Sequence, residues 1–235
     1  MFHMKDALQD LPIYAVIWDV DGTLVDTAEL HFAAWVKLAG ELGKPFTRAD
    51  FAATFGRRNR EIIGALFEPR YSDNEIAELG VRKEEYYKAA ARKGVDLLPG
   101  VRPLLERLHA ARFKQAIGSS APRGNIDLIL SLTRTEQLFE AVVSEEDTQR
   151  GKPDPQVFLV AAKKLNVSPG NCLVMEDAVA GVQAAKSGGM KCIAVSFSGH
   201  HPEVRLREAG ADLVVKNLEH VDIATVRRIL EQPGG

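Results

Sequence analysis

Trp18-Asp19-Val20-Asp21-Gly22-Thr23-Leu24 is the stretch whose reading decides the fold. The run that leads into it, Tyr14-Ala15-Val16-Ile17-Trp18, is short and apolar, the pattern of a strand buried on both faces. Two carboxylates one residue apart at the end of such a strand are costly unless a cation or hydrogen-bond donors hold them. In open α/β folds, ligands bind at the carboxyl ends of the strands. One reading is therefore a metal-assisted phosphoryl-transfer site, and the competing one is a strand that closes in a solvated Asp-Gly turn. What the rest of the chain places beside the two acids separates them.

At 235 residues the chain can bury one sizeable core and carry a smaller insert. Its 46% hydrophobic and 26% charged residues are ordinary for a globular protein. Lys+Arg 30 against Asp+Glu 32 leaves a net charge of −2, which speaks against a nucleic-acid partner. No apolar run reaches the roughly 20 residues that span a bilayer, and the start, Met1-Phe2-His3-Met4-Lys5-Asp6, has no signal-peptide apolar core. The expected setting is the cytoplasm, without a membrane, and the expected state a monomer. Cys172 and Cys192 both lie in apolar strand-like runs and read as buried free thiols.

Residues 1–12 read as a loosely held leader. After the first strand, Glu29–Glu41 carries apolar residues at helical spacing and Gly43-Lys44-Pro45 stops it. The pattern stays helical to Gly94, with helices expected over Arg48–Phe55, Glu61–Phe67, Asp73–Leu79 and Arg82–Arg92, broken at Gly56, Pro69 and Gly80. From Val101 onward, helices alternate with short apolar strands at Phe113–Ile117, Ala141–Val143, Cys172–Met175, Lys191–Val195 and Leu213–Val215. That alternation predicts an α/β fold, a doubly wound parallel sheet with right-handed crossovers, interrupted by an inserted helical domain. The expected division is residues 1–25 and 98–235 for the core and 26–97 for the insert.

A parallel sheet would gather the residues that follow its strands along one edge. These are Asp19 and Asp21, Ser119 and Ser120, Lys152 within Gly151-Lys152-Pro153-Asp154-Pro155, and Glu176-Asp177. Two acidic pairs, a hydroxyl and a lysine are what a phosphate ester needs. Carboxylates from two strands make a hard-oxygen site suited to Mg²⁺. One Asp could attack phosphorus, and a second could protonate the leaving alcohol and then activate water. Ser119 and backbone N–H groups at Gly22 and Thr23 could bind phosphate oxygens, and Lys152 could neutralise their charge. Each piece alone has a plainer reading: a Ser pair that begins a helix, an ordinary loop with a solvated lysine, an acidic helix cap. Their common order after successive strands favours the functional one.

In that order, Asp19-Val20-Asp21-Gly22-Thr23-Leu24, Ser119, Lys152-Pro153-Asp154-Pro155 and Glu176-Asp177 resemble the four motifs of the haloacid dehalogenase superfamily over about residues 13–230. The helical insert resembles that superfamily's α-helical cap. The resemblance implies Asp19 as nucleophile, Asp21 as general acid/base, and metal ligation by Asp19, the Asp21 backbone carbonyl and Asp177, with Glu176 in support. Paired first carboxylates argue against dehalogenation, because halide release from carbon needs no leaving-group acid. Within the superfamily, Asp26-Thr27-Ala28-Glu29-Leu30-His31-Phe32 is similar to the hinge and first cap helix of the β-phosphoglucomutase-like subgroup. That similarity adds Thr27 and His31 to the substrate side, with His31 coupling cap closure to the acid/base.

Phe55-Gly56-Arg57-Arg58-Asn59-Arg60 is similar to the subgroup's substrate loop, which nominates Gly56, Arg58 and Asn59; its plainer reading is a solvated basic turn. The subgroup's mutases have an Arg where Asn59 stands, and a Ser-Lys-Asn run where this chain has Ala121-Pro122-Arg123. Those departures leave Ser120 and Arg123 to face the sugar and shift weight from mutase to phosphatase on small phosphate monoesters, sugar phosphates foremost. Lys83 lies near the mutase's cap lysine. Mutase transfer is the sister reading, and a phospho-accepting receiver-like module is a distant one, disfavoured by the helical insert and by a nucleophile on the first strand.

Overall fold

The computed structural model describes residues 12–67 and 71–232. The expected leader, except Pro12, and the expected breaker Pro69 lie outside the described residues. Six strands form one parallel sheet: β1 (Ala15–Trp18), β2 (Lys114–Gly118), β3 (Ala141–Val143), β4 (Cys172–Glu176), β5 (Lys191–Val195) and β6 (Leu213–Val215), in the order β3-β2-β1-β4-β5-β6. The first strand is central, hydrogen-bonded to β2 on one side and β4 on the other, with Trp18 opposite Ile117 and Met175. The strand ends that carry the polar motifs are therefore neighbours.

Alternate residues of β1 feed two different cores, as the two-residue period of a strand requires. Ala15 and Ile17 pack with α7 (Gln156–Leu165) and α8 (Val179–Ser187) on one face. Val16 and Trp18 pack with α5 (Val101–Ala110), α6 (Arg123–Thr133) and α10 (Ile223–Leu230) on the other. The remaining core helix, α9 (Glu203–Glu208), contributes Leu206 to the first of these layers. This is the doubly wound arrangement expected. Trp18 is fully buried and donates its indole N–H to Gln115 Oε1 at 3.1 Å, so the one polar atom of that ring is satisfied inside the core. Cys172 and Cys192 are buried and unpaired.

Between β1 and α5 the described chain is helical: α1 (Ala28–Glu41), α2 (Arg48–Thr54), α3 (Asn59–Leu66) and α4 (Asp73–Ala91). Thr47 with Asp50, and Ser72 with Glu75, form capping boxes that start α2 and α4. These helices bury a cluster of their own around Trp35, Phe46, Phe51, Ile62, Ile63 and Phe67, in which Phe67 stacks on Trp35 and Phe46. One expectation is overturned here. Gly80 does not break the helix; Asp73–Ala91 is continuous through it. A mid-helix glycine costs about 1 kcal/mol against alanine, and the packing of α4 along α1 and α3 outweighs that.

The chain leaves and re-enters the sheet side by side. Val25 pairs antiparallel with Leu97, and Leu98 N–H donates to Leu24 O at 2.8 Å. The helical insert is thereby suspended directly above the carboxyl edge of the sheet.

Candidate active site

At the centre of the edge, Asp19 follows β1 with its N–H bonded to Met175 O at 3.0 Å, and its side chain is buried. Lys152 arrives from the loop before α7 and is itself buried. Its Nζ lies 2.8 Å from Asp19 Oδ1 and 2.6 Å from Glu176 Oε1. Asp177 lies beside them, and one oxygen each from Asp19, Glu176 and Asp177 falls within 4.8 Å of the others. Glu176 Oε2 accepts the N–H groups of Asp177 and Ala178, so this carboxylate also holds the chain turning into α8. Two glycines make the approach possible. A Cβ on Gly22 (φ 80°) would fall 1.9 Å from Asp177 Oδ2, and one on Gly181 would fall 1.7 Å from Glu176 Oε1.

Three buried carboxylates face one ammonium, and the imbalance shows in their acidity. Burial, with Glu176 and Asp21 adding repulsion, raises Asp19 to about 7 against the pull of Lys152. Burial, then Glu176 and Asp19, pushes Asp177 well above the usual carboxylate range. Asp177 Oδ2 is buried and has no hydrogen-bond partner among the described residues. An orphaned carboxylate oxygen inside a set of hard oxygen donors fits a divalent cation of the Mg²⁺ type.

Asp21 points the other way, out of the acidic group and toward the insert. His31 Nε2 is 3.2 Å from Asp21 Oδ1, Thr27 Oγ1 donates to the same oxygen, and Tyr87 OH donates to it at 3.4 Å. Burial alone would raise Asp21, but His31, Thr27 and Lys83 outweigh it and hold the group at about 2. Lys83 Nζ is 2.7 Å from His31 Nδ1. A lysine ammonium can only donate, so Nδ1 is the acceptor of that contact, and Nε2 is the ring nitrogen left on the Asp21 side. Tyr87 stacks on the His31 ring with centroids 4.1 Å apart, which fixes the plane of the imidazole.

The insert supplies the opposite wall. Glu84 Oε1 accepts from Asn59 Nδ2 at 2.6 Å and Lys83 Nζ at 2.9 Å, and Asn125 of α6 donates to Oε2, joining insert and sheet domain. The cavity enclosed between floor and wall is about 60 Å³, lined by Asp19, Asp21, His31, Gly56, Asn59, Ser119, Ser120, Lys152, Glu176 and Asp177 among others. Ser119 is buried, and its Oγ accepts Ala121 N–H at 3.2 Å.

Several nominated residues stand elsewhere. The Gly22 and Thr23 N–H groups, expected on phosphate, are engaged inside the turn with Val25 O and Val20 O, and Thr23 Oγ1 is buried without a partner among the described residues. Thr27 reaches Asp21 and does not line the cavity. Arg58 turns its guanidinium to Thr148 O, Gln149 O and Thr148 Oγ1, away from the cavity. Arg123 is paired with Asp127 at 2.7 Å on the exposed side of α6. Glu84, Asn125 and Glu145 were not legible as site residues in the sequence. Glu84 sits in an Arg82-Lys83-Glu84-Glu85 run that reads as a solvated face, and nothing local marks it as the residue turned inward.

The haloacid dehalogenase-like hydrolase family model matches residues 16–195. Among curated relatives, a β-phosphoglucomutase of Bacillus subtilis is 36% identical over 225 residues, covering 93% of this chain and 96% of that protein. A phosphorylated carbohydrates phosphatase of Thermotoga maritima is 33% identical over 209 residues, covering 89% and 97%. The crystal structure of β-phosphoglucomutase from Clostridium difficile superposes with a TM-score of 0.84 at 28% identity, over 93% of this chain and 97% of that one.

Proposed function

The chain belongs to the haloacid dehalogenase-like hydrolases, and on that premise we propose that it is a Mg²⁺-dependent phosphatase of small phosphate monoesters, sugar phosphates foremost. The observation that carries the reading is the contrast between its two first acids. Asp19 is held against Lys152 inside the acidic group, while Asp21, two residues on, is held by His31 and Thr27 beneath the insert. Neighbouring carboxylates with opposed surroundings are how one site separates a nucleophile from an acid/base.

In this reading Asp19 attacks phosphorus and forms an aspartyl-phosphate as the ester oxygen leaves, taking its proton from Asp21. Asp21 then removes a proton from water, which attacks the same phosphorus and returns Asp19 and inorganic phosphate. The closed insert holds Asp21 ionised, the form that the second half uses. An anionic phosphate arriving beside it raises its affinity for the proton that the first half needs. Ser119 and Lys152 bind the transferred oxygens, and Lys152 offsets the charge that develops on them. Asp19, Asp177 and Glu176 would hold the Mg²⁺, with the Asp21 carbonyl as a further donor; when bound, the ion supplies charge neutralisation between carboxylates and phosphate. The setting we propose is the cytoplasm, supported by two buried unpaired cysteines, and the state a monomer.

The protein incubated with p-nitrophenyl phosphate and Mg²⁺ is expected to release phosphate, and Asp19→Asn to abolish the release. Turnover that survives in Asp19→Asn sinks the mechanism. The sister reading, transfer to a second hydroxyl of the sugar, is favoured by the mutase among the relatives. β-Glucose 1-phosphate separates the two: free phosphate supports the phosphatase, glucose 6-phosphate the mutase.

A further inference from the structure

Glu145 has no part in the chemistry above, yet it lines the cavity. It opens the 3-10 turn Glu145–Asp147 after β3, and its N–H donates to Ala121 O at 3.1 Å, which ties it to the loop carrying Ser119. Its Oε2 is buried and has no hydrogen-bond partner among the described residues. A second cavity of about 450 Å³ lies on the far side of the wall, and Asn59, Glu84, Pro122 and Glu145 line both. Glu145 therefore belongs to the partition facing the insert rather than to the reacting floor. The charges acting most on it are Glu146, Arg58, Glu84 and Lys83.

The cations around this partition are engaged elsewhere or do not face it. Lys83 is bound to Glu84 and His31, and Lys152 to Asp19 and Glu176. Arg58 is bound through its Nη groups to Thr148 and Gln149, and although its buried Nε has no partner among the described residues, Arg58 lines neither cavity. Arg57 lines the cavity at its exposed rim and is not among the charges that act most on Glu145. What the partition offers a ligand is acceptors: the free Glu145 oxygen and the amide oxygen of Asn59, whose nitrogen is spent on Glu84. A buried acceptor without a donor is costly, and the cost is relieved only by a ligand that brings one. A phosphate group carries about −1.5 to −2 charge at neutral pH and only acceptor oxygens turned outward, so it would meet both like charge and unpaired acceptors here.

Resting on the phosphatase reading, we propose that Glu145 is a specificity-determining residue: its carboxylate accepts a hydroxyl from the end of the substrate distant from the scissile phosphate, and it excludes substrates that carry a second phosphate there. Burial, with Glu146 adding repulsion, raises Glu145 to about 7, the response of a carboxyl group whose partner has yet to arrive.

The test is run at about pH 8, where Glu145 is ionised, and pairs each monophosphate with its bisphosphate: glucose 1-phosphate and glucose 6-phosphate against glucose 1,6-bisphosphate, and fructose 1-phosphate and fructose 6-phosphate against fructose 1,6-bisphosphate. In the wild-type protein the better monophosphate of each set is expected to lead its bisphosphate by about 100-fold in kcat/KM. Glu145→Gln, which keeps the shape and removes the charge, is expected to shrink that lead at least tenfold, and Glu145→Lys to shrink it further. Calorimetric titration of the same esters into Asp19→Asn protein reads the same preference as affinity, without turnover. A bisphosphate handled within threefold of its monophosphate by the wild-type protein, or a preference unmoved in Glu145→Gln, overturns the proposal. Failure of the underlying phosphatase reading looks different: no release from p-nitrophenyl phosphate, whatever the titrations give. Titrations in which neither ester class binds overturn the specificity proposal as well.

Discussion

The floor and the wall of the cavity are built on opposite principles. The floor is made of residues at the carboxyl ends of two adjacent strands, packed into a buried knot of charge: Asp19, Glu176 and Asp177 around Lys152, which reaches them from the loop before α7. The wall is made of helix side chains, Asn59, Lys83 and Glu84, bonded to each other and to Asn125 across the gap between insert and sheet. In the floor, the backbone of a parallel sheet dictates where each group lies. In the wall, position depends on how helices from two bodies pack, so any rearrangement of the insert remakes it. Chemistry that must not vary belongs on the first kind of surface, and discrimination between ligands on the second.

The largest expected effect comes from taking the charge out of the floor. Lys152→Met leaves buried carboxylates with no protein cation, a change that costs about 3–5 kcal/mol of stability in urea titrations and about a hundredfold or more of turnover. A loss under about 1 kcal/mol would break the picture of a floor held by charge. Next is Phe67→Ala, inside the aromatic cluster of the insert, at about 3–5 kcal/mol. The two sites share no partner. Their effects in the double variant are expected to add within about 0.5 kcal/mol, and a larger coupling would mean that floor and insert are one unit. The smallest is the pH response of the wall. Glu145 binds its proton up to about 7 in the folded protein, against an ordinary 4.5. Between those values the unfolded chain has lost a proton that the folded one keeps, so this group's contribution to stability falls as pH rises through the window. Glu145→Gln removes that dependence. Its stability relative to wild type is expected to climb from pH 4.5 to 7, by on the order of 1 kcal/mol after solvent screening, and a flat difference would place Glu145 in contact with water.

The same contrast explains what could be read from the amino-acid sequence. Short apolar runs separated by helical periods announce a parallel sheet, and the polar residue after each run then has one place to go. Asp19, Ser119, Glu176 and Asp177 meet for that reason, and Lys152 joins them from the loop before α7. The wall offered no such rule. Arg58 and Arg123 look like anion ligands in the sequence, but one is taken up by backbone carbonyls around Thr148 and the other by Asp127. Glu84 and Asn125 are separated by 41 positions, and no periodicity couples them. Gly80 shows the limit of local propensity: a residue that weakens a helix cannot end one that is packed along its length.

One feature of the backbone has a bearing on how the protein assembles. Residues 25 and 97 are bridged directly although 72 positions separate them along the chain. Pairing β1 with β2 brings together residues 99 positions apart, such as Ala15 and Lys114, and the entropy of closure grows as (3/2)RT ln n. An insert that folds first, around its own aromatic cluster, brings these two residues together beforehand. The stretch left to close then falls to 27 positions, Ala15 to Val25 and Leu97 to Lys114, a saving of about 1 kcal/mol at the moment of strand pairing. The central strand of the sheet can thus find its neighbour as though the insert were a short turn.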